Sequence, residues 1–162
     1  MRHEKRDEFI LELISRGVPI SIWGDRWNKS PHYEKIKPHW RGNALYGRDY
    51  VAAMQGAKIC LGLLSKGNRD LHTTRTMETP FAGGLFCAER TIEHLAFFKE
   101  GVEAVFWSDA AECAEQCLKL LANDTLREQI RLAGMARVRS LKVGNEDICR
   151  SILDVMINRE EK

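Results

Sequence analysis

Residues 58–84 read KICLGLLSKGNRDLHTTRTMETPFAGG. The opening KICLGLL is a nearly continuous apolar run of strand length, and its lack of alternation is the pattern of a strand covered on both faces. A loop rich in Gly, Asn and Arg follows. From residue 73 to residue 82 apolar and small side chains recur at helical spacing behind two threonines suited to N-capping, and Pro80 makes that helix short or kinked. Residues 84–88 then form a second buried strand. Strand, loop, helix and strand in this order are the unit of a parallel sheet.

The same alternation extends in both directions. Upstream, residues 4–16 place Phe9, Ile10, Leu13 and Ile14 on one helical face and end at Gly17, a natural C-terminal cap. Residues 18–23 (VPISIW) are a short strand closed by Gly24 and Asp25, with Pro19 weakening only its beginning. Residues 25–38 lack periodicity and read as an irregular connection, followed by a brief strand at 42–45. A helix at 47–56 carries Tyr50, Val51 and Met54 on one face. Downstream come a short helix at 92–98, a strand at 103–107, and helices at 109–122 and 125–141, the first capped by Ser108 or Asp109. A last helix at 146–158 is expected to pack on the surface. The expected fold class is α/β: one Rossmann-like domain over residues 1–162, a doubly wound parallel sheet with helices on both faces and residues 145–162 as its C-terminal helix. Such sheets bind ligands outside the carboxyl ends of their strands, which directs attention to the loops after Trp23, Leu64 and Ala88.

Composition narrows the classes. The chain has 162 residues, 44% of them hydrophobic and 30% charged, enough apolar mass for one sizeable core. Its 25 basic and 23 acidic residues are interspersed and leave a formal charge of +2, so no field directs it to nucleic acid. No apolar run approaches the roughly 20 residues of a membrane span. The opening MRHEKRDEF is charged where a signal peptide would be apolar, so a cytoplasmic location is expected. Five cysteines, an odd number lying mostly in apolar segments, read as reduced thiols packed as small hydrophobes. Cys113 and Cys117 share a helix face, but no ligand stands near them in sequence, and His32 and His39 lack a metal pattern; no metal site is expected. Neither G-x-G-x-x-G nor G-x-x-x-x-G-K-[ST] is present, which takes most of the support from the dinucleotide and P-loop classes.

The segment at 68–84 is where chemistry concentrates. Backbone N–H groups of Thr73, Thr74 and Arg75 at the start of a helix, with the Arg75 guanidinium and Arg69 from the loop, suit a diphosphate. Glu78, one turn beyond Arg75, can accept hydrogen bonds from a ribose. Phosphate and ribose together describe a nucleotide. The same spacing also describes a plain surface ion pair between Arg75 and Glu78.

The runs HTTRTMETPFAGGLFCAE at 72–89 and EHLAFFKEGVEAVFWSDAAECAEQCLKLLANDTLREQIRLAGMARV at 93–138 carry a resemblance. Over residues 42–141 the chain resembles the C-terminal domain of group 1 glycosyltransferases, in the CgeB-like, spore-maturation-protein branch. Arg75, Glu78, Gly83, Gly84, Glu100, Gly101, Glu103, Asp109, Ala133 and Gly134 stand in the family's order. The resemblance implies one half of a bacterial GT-B enzyme, the half that holds a nucleoside diphosphate sugar for transfer of a glycosyl group. In that family two glutamates bracket the donor; Glu78 matches the second, and Asp70 stands where the first would be. His72 lies between them and suits a phosphate or sugar hydroxyl, or is a solvated loop residue. Gly24, beside Trp23 and Asp25, and Tyr46 with Arg48 match loops near the base.

The resemblance also implies no cofactor and no metal, an acceptor domain and a first sheet strand outside this sequence, and a possible homodimer that fills the strand's place. A fragment of that kind would be inactive alone. The alternatives are a noncatalytic Rossmann-like binding module and a fragment of a nucleotide-sugar epimerase.

Overall fold

The computed structural model describes residues 5–160. Among the described residues there are five short strands: β1 (Ile22–Trp23), β2 (Trp40–Gly42), β3 (Cys60–Gly62), β4 (Phe86–Glu89) and β5 (Val105–Trp107). Every pairing is parallel. Eight α-helices accompany them among the described residues: α1 (Arg6–Ser15), α2 (Tyr33–Ile36), α3 (Gly47–Gly56), α4 (Arg75–Phe81), α5 (Ile92–Phe97), α6 (Ala110–Leu121), α7 (Asp124–Ser140) and α8 (Asn145–Glu160). The expected mixed α/β layering is what the chain adopts.

Alternation along β4 and β5 sorts the core into two layers. Leu85 and Cys87 join Val105 and Trp107 in one cluster, covered by Ile10 and Leu13 of α1 and by Cys113, Cys117 and Leu120 of α6. Phe86 and Ala88 join Ala104 and Phe106 in the other, with Phe98 and Val138. Successive side chains of a strand point to opposite faces, so a strand buried on both sides is apolar at every position. Full burial of a side chain such as Phe106 contributes roughly 1.5–3 kcal/mol.

Several ends are set by identifiable devices. α1 stops where Gly17 takes φ +86°, its N–H donating to Ile14 O and that of Val18 to Leu13 O, with Leu13 and Val18 both buried. That is a Schellman closure. Asp109 caps α6 by accepting from Glu112 N at 2.9 Å, and Asn123 caps α7 by accepting from Leu126 N at 2.9 Å.

The structure departs from the sequence reading at five places. The sheet is two sheets, β1–β2 and β3–β4–β5, with no strand among the described residues joining β1 to β3. Between them lies a cavity of about 430 Å³ walled by Ile20, Trp23, Ile59 and Leu61, with Cys117 and Leu121 of α6 also lining it. The expected strand at 42–45 is instead Trp40–Gly42, because Trp40 pairs with Ile22 and its indole N–H donates to Gly24 O. The connection at 25–38 contains α2 and two 3-10 turns, which bury Trp27 and Ile36 beside α1. Neither Thr73 nor Thr74 caps α4. Thr74 is already helical, and the side chain that closes the turn is Thr76, whose hydroxyl accepts from Thr73 N at 3.2 Å. Finally, α8 does not bury an apolar face: Ile148, Ile152, Leu153, Val155, Met156 and Ile157 are all exposed.

Candidate functional site

The loop leaving β3 is held by a series of local bonds. Asp70 N donates to Ser65 O, Arg69 takes a left-handed φ of +56°, and Thr91 Oγ1 donates to Leu71 O at 2.7 Å. His72 pairs with Glu93 on α5 and meets the Phe97 ring edge-on at 5.5 Å. Its imidazole is therefore engaged with α5.

Below this loop is a buried relay. His94 is fully buried, stacked on Phe106 and edge-on to Phe86. Its Nδ1 lies 2.6 Å from Glu89 O and its Nε2 3.0 Å from Thr76 Oγ1. A carbonyl oxygen only accepts, so Nδ1 carries the proton and Nε2 accepts from the Thr76 hydroxyl. That hydroxyl accepts in turn from Thr73 N, which fixes the entry to α4 against the sheet. Burial keeps the imidazole neutral by lowering its pKa below the ordinary 6.5.

On the solvent side of α4 the same turn presents Arg75 and Glu78, both exposed. Tyr50 of α3 donates its hydroxyl to Glu78 Oε2 at 3.2 Å. The Arg75 guanidinium sits beside the same phenol; burial raises the pKa of Tyr50 above 10.0, and Arg75 opposes that rise. The carboxylate of Glu78 is thus bound to Tyr50 rather than paired with Arg75. The plain surface ion pair that the spacing allowed is not the arrangement formed. Tyr50 and Glu78 lie at one end of an open groove of about 1050 Å³ between α3, α4 and α7, which also reaches Gly47, Phe81, Arg131 and Arg139.

The remaining candidates lie on separate elements. Tyr46 precedes α3 and is 77% exposed, one turn before Tyr50. Asp70 is half-buried and Arg69 exposed, both in the β3–α4 loop. Gly24 belongs to the other sheet. Its N–H donates to Gly42 O at 2.9 Å, it takes φ +145°, and a Cβ there would sit 3.1 Å from the Trp27 indole nitrogen. These contacts define a structural need for glycine. The structure brings Arg75 and Glu78 together with Tyr50, while His72 is turned to α5 and Gly24 is bonded to β2.

Sequence reasoning missed Tyr50, whose hydroxyl was hidden in an apolar helical face, and the Thr76–His94 relay between elements distant in sequence. It also missed Arg90, which follows β4. Arg90 donates to Glu100 at 2.6 Å, to Glu112 at 2.6 Å, to Phe106 O and to Ser108, tying together the loops at the carboxyl ends of β4 and β5. Arg90 draws the Glu112 pKa down to about 2. Sequence reasoning also missed that a third thiol, Cys87, lies beside Cys113 and Cys117.

A family model described as glycosyl transferase-like matches residues 2–145, from α1 to the first residue of α8. The chain belongs to the glycosyl transferase-like family. Glycosyl transfer is the chemistry of that family, and with it goes binding of a nucleotide-sugar donor. No curated protein matches the chain. Among the described residues no helix of this glycosyl transferase-like chain is long and apolar enough to cross a membrane.

Proposed function

We propose that the chain is the donor-binding domain of a GT-B glycosyltransferase of the CgeB-like branch, acting with an acceptor-binding domain in the cytoplasm. The observation that carries the reading is the Tyr50–Glu78 pair lining the groove, a carboxylate oriented by a phenol, with the Arg75 guanidinium beside that phenol and not spent on the carboxylate. Glu78 accepts the ribose hydroxyls, Tyr50 holds its rotamer, and Arg75 grips the diphosphate. Arg69 and the N–H groups of Thr74 and Arg75 lie on the same loop and turn and supply further donors; Tyr46 offers a face for the base.

Transfer breaks the bond between the anomeric carbon and the diphosphate oxygen, so negative charge grows on the leaving group. A fixed guanidinium stabilises that charge without reorganising, and this is the largest contribution the domain makes to the rate. Asp70 is the acidic group nearest Glu78 along the loop and takes the sugar side of the donor. The chemistry needs neither metal nor organic cofactor.

Charge reversal tests the reading. Arg75→Glu is expected to weaken nucleoside diphosphate binding by about ten- to a hundredfold, the worth of a charge-assisted hydrogen bond. Unchanged affinity in a folded variant removes Arg75 from the site and the reading with it.

A further inference from the structure

Cys87 on β4 and Cys113 and Cys117, one turn apart on α6, converge in the core layer between the sheet and α6. Their three sulfurs all lie within 4.8 Å of one another, and the side chains are between 0 and 2% exposed. Leu85, Val105 and Leu120 belong to the same apolar cluster. The nearest carboxylate in sequence, Glu112, is held by Arg90 and Ser108 N. The group contains three soft donors and no histidine or carboxylate.

We propose that Cys87, Cys113 and Cys117 form a site for a soft, monovalent thiophilic ion, with Cu(I) as its type. Donor chemistry and charge select the ion. A structural zinc site is closed by four ligands, and here there are three. Thiolate sulfur favours Cu(I), which accepts low coordination numbers. The ligand is the thiolate, so binding releases a thiol proton to solvent, and one Cu(I) against one thiolate leaves no net charge in a dry core. A divalent ion needs two thiolates for the same neutrality, and each buried charge is expensive. An entry path exists as well, since Cys117 lines the cavity between β1 and β3. This inference is independent of the donor site, which lies on α3 and α4.

The test is anaerobic titration of the reduced, full chain with Cu(I) against a chromophoric Cu(I) chelator, both on folded protein and after refolding with the ion present. One equivalent is expected to be withdrawn per chain, with a higher melting temperature, because an ion that binds only the folded state stabilises it. The double variant Cys60→Ser, Cys149→Ser keeps all three core thiols and is expected to retain the full equivalent; Cys117→Ser and Cys87→Ala are expected to lose it. The proposal is overturned if wild type withdraws none after refolding, if the double variant loses the ion, or if Zn(II) displaces Cu(I) at equal concentration. The double variant carries the decision should the core variants fail to fold.

Discussion

Thr76 Oγ1 and His94 Nε2 lie 3.0 Å apart in a site where both side chains are fully buried. The bond connects the first turn of α4, which carries Arg75, to α5. Replacing Thr76 by Val keeps the shape but leaves His94 Nε2 and Thr73 N without partners, a loss of about 1–3 kcal/mol for each such group. Urea unfolding should show a correspondingly lower midpoint with an unchanged slope, and nucleotide affinity should fall although Thr76 touches no ligand.

The same relay has a pH signature. His94 binds a proton less readily folded than unfolded, so the unfolded state takes up the proton first as pH falls. Its contribution to stability is present above the ordinary pKa of 6.5 and declines below it. Urea midpoints of wild type and of His94→Gln, measured on either side of that pH, check the sign: wild-type stability is expected to fall through this window, and the fall is expected to be smaller in the variant, which lacks the imidazole.

Glu112 gives a test of the same sign at lower pH. Its folded pKa of about 2 lies under the ordinary 4.5, with Arg90 the largest cause. The stabilisation is fully present above pH 4.5 and is lost as pH falls toward about 2. Glu112→Gln should therefore destabilise the chain at neutral pH, and the difference from wild type should shrink through that acid range. A difference that stays constant would mean that the Arg90 clamp contributes no charge-dependent stability.

Two glycines separate crowding from propensity. A Cβ on Gly134 of α7 would lie 2.3 Å from Glu103 O, whereas one on Gly56, at the end of α3, meets nothing within 4 Å. Gly134→Ala is expected to lower the melting temperature despite better helix propensity, through a clash with backbone that cannot turn aside. Gly56→Ala is expected to be neutral or to stabilise by about 0.4–1 kcal/mol.

The apolar side chains of α8 remain exposed, so the helix contributes little to the fold of the rest. Deleting residues 145–162 should leave the urea midpoint of the remaining chain within about 0.5 kcal/mol of wild type, the range of surface changes. If the chain forms a homodimer through that face, the same deletion yields a monomer by light scattering.

Legibility in the sequence followed the range of the interaction. KICLGLL announced a buried strand because coverage on both faces leaves no polar position, and the helix at 47–56 was found residue for residue because three turns suffice for periodicity. Four-residue α2 offers too little sequence for a period to register. The β2 boundary moved because Trp40 is anchored by Gly24 O, sixteen residues away. Arg75 and Glu78 stood out by type and spacing, yet Tyr50, twenty-eight residues before Glu78, read as one more apolar position until α3 was laid against α4. Cys87 was similarly unreadable as a neighbour of Cys113, because the approach exists only once β4 lies under α6.

Nucleotide binding beside Tyr50, Arg75 and Glu78 is read directly by calorimetric titration of the purified chain with UDP, GDP, ADP and CMP, repeated on Glu78→Ala. Selective binding of one nucleotide by the wild type is expected, with its loss when the Glu78 carboxylate is removed. No binding of any of the four by the folded wild type, or equal binding by Glu78→Ala, would contradict it.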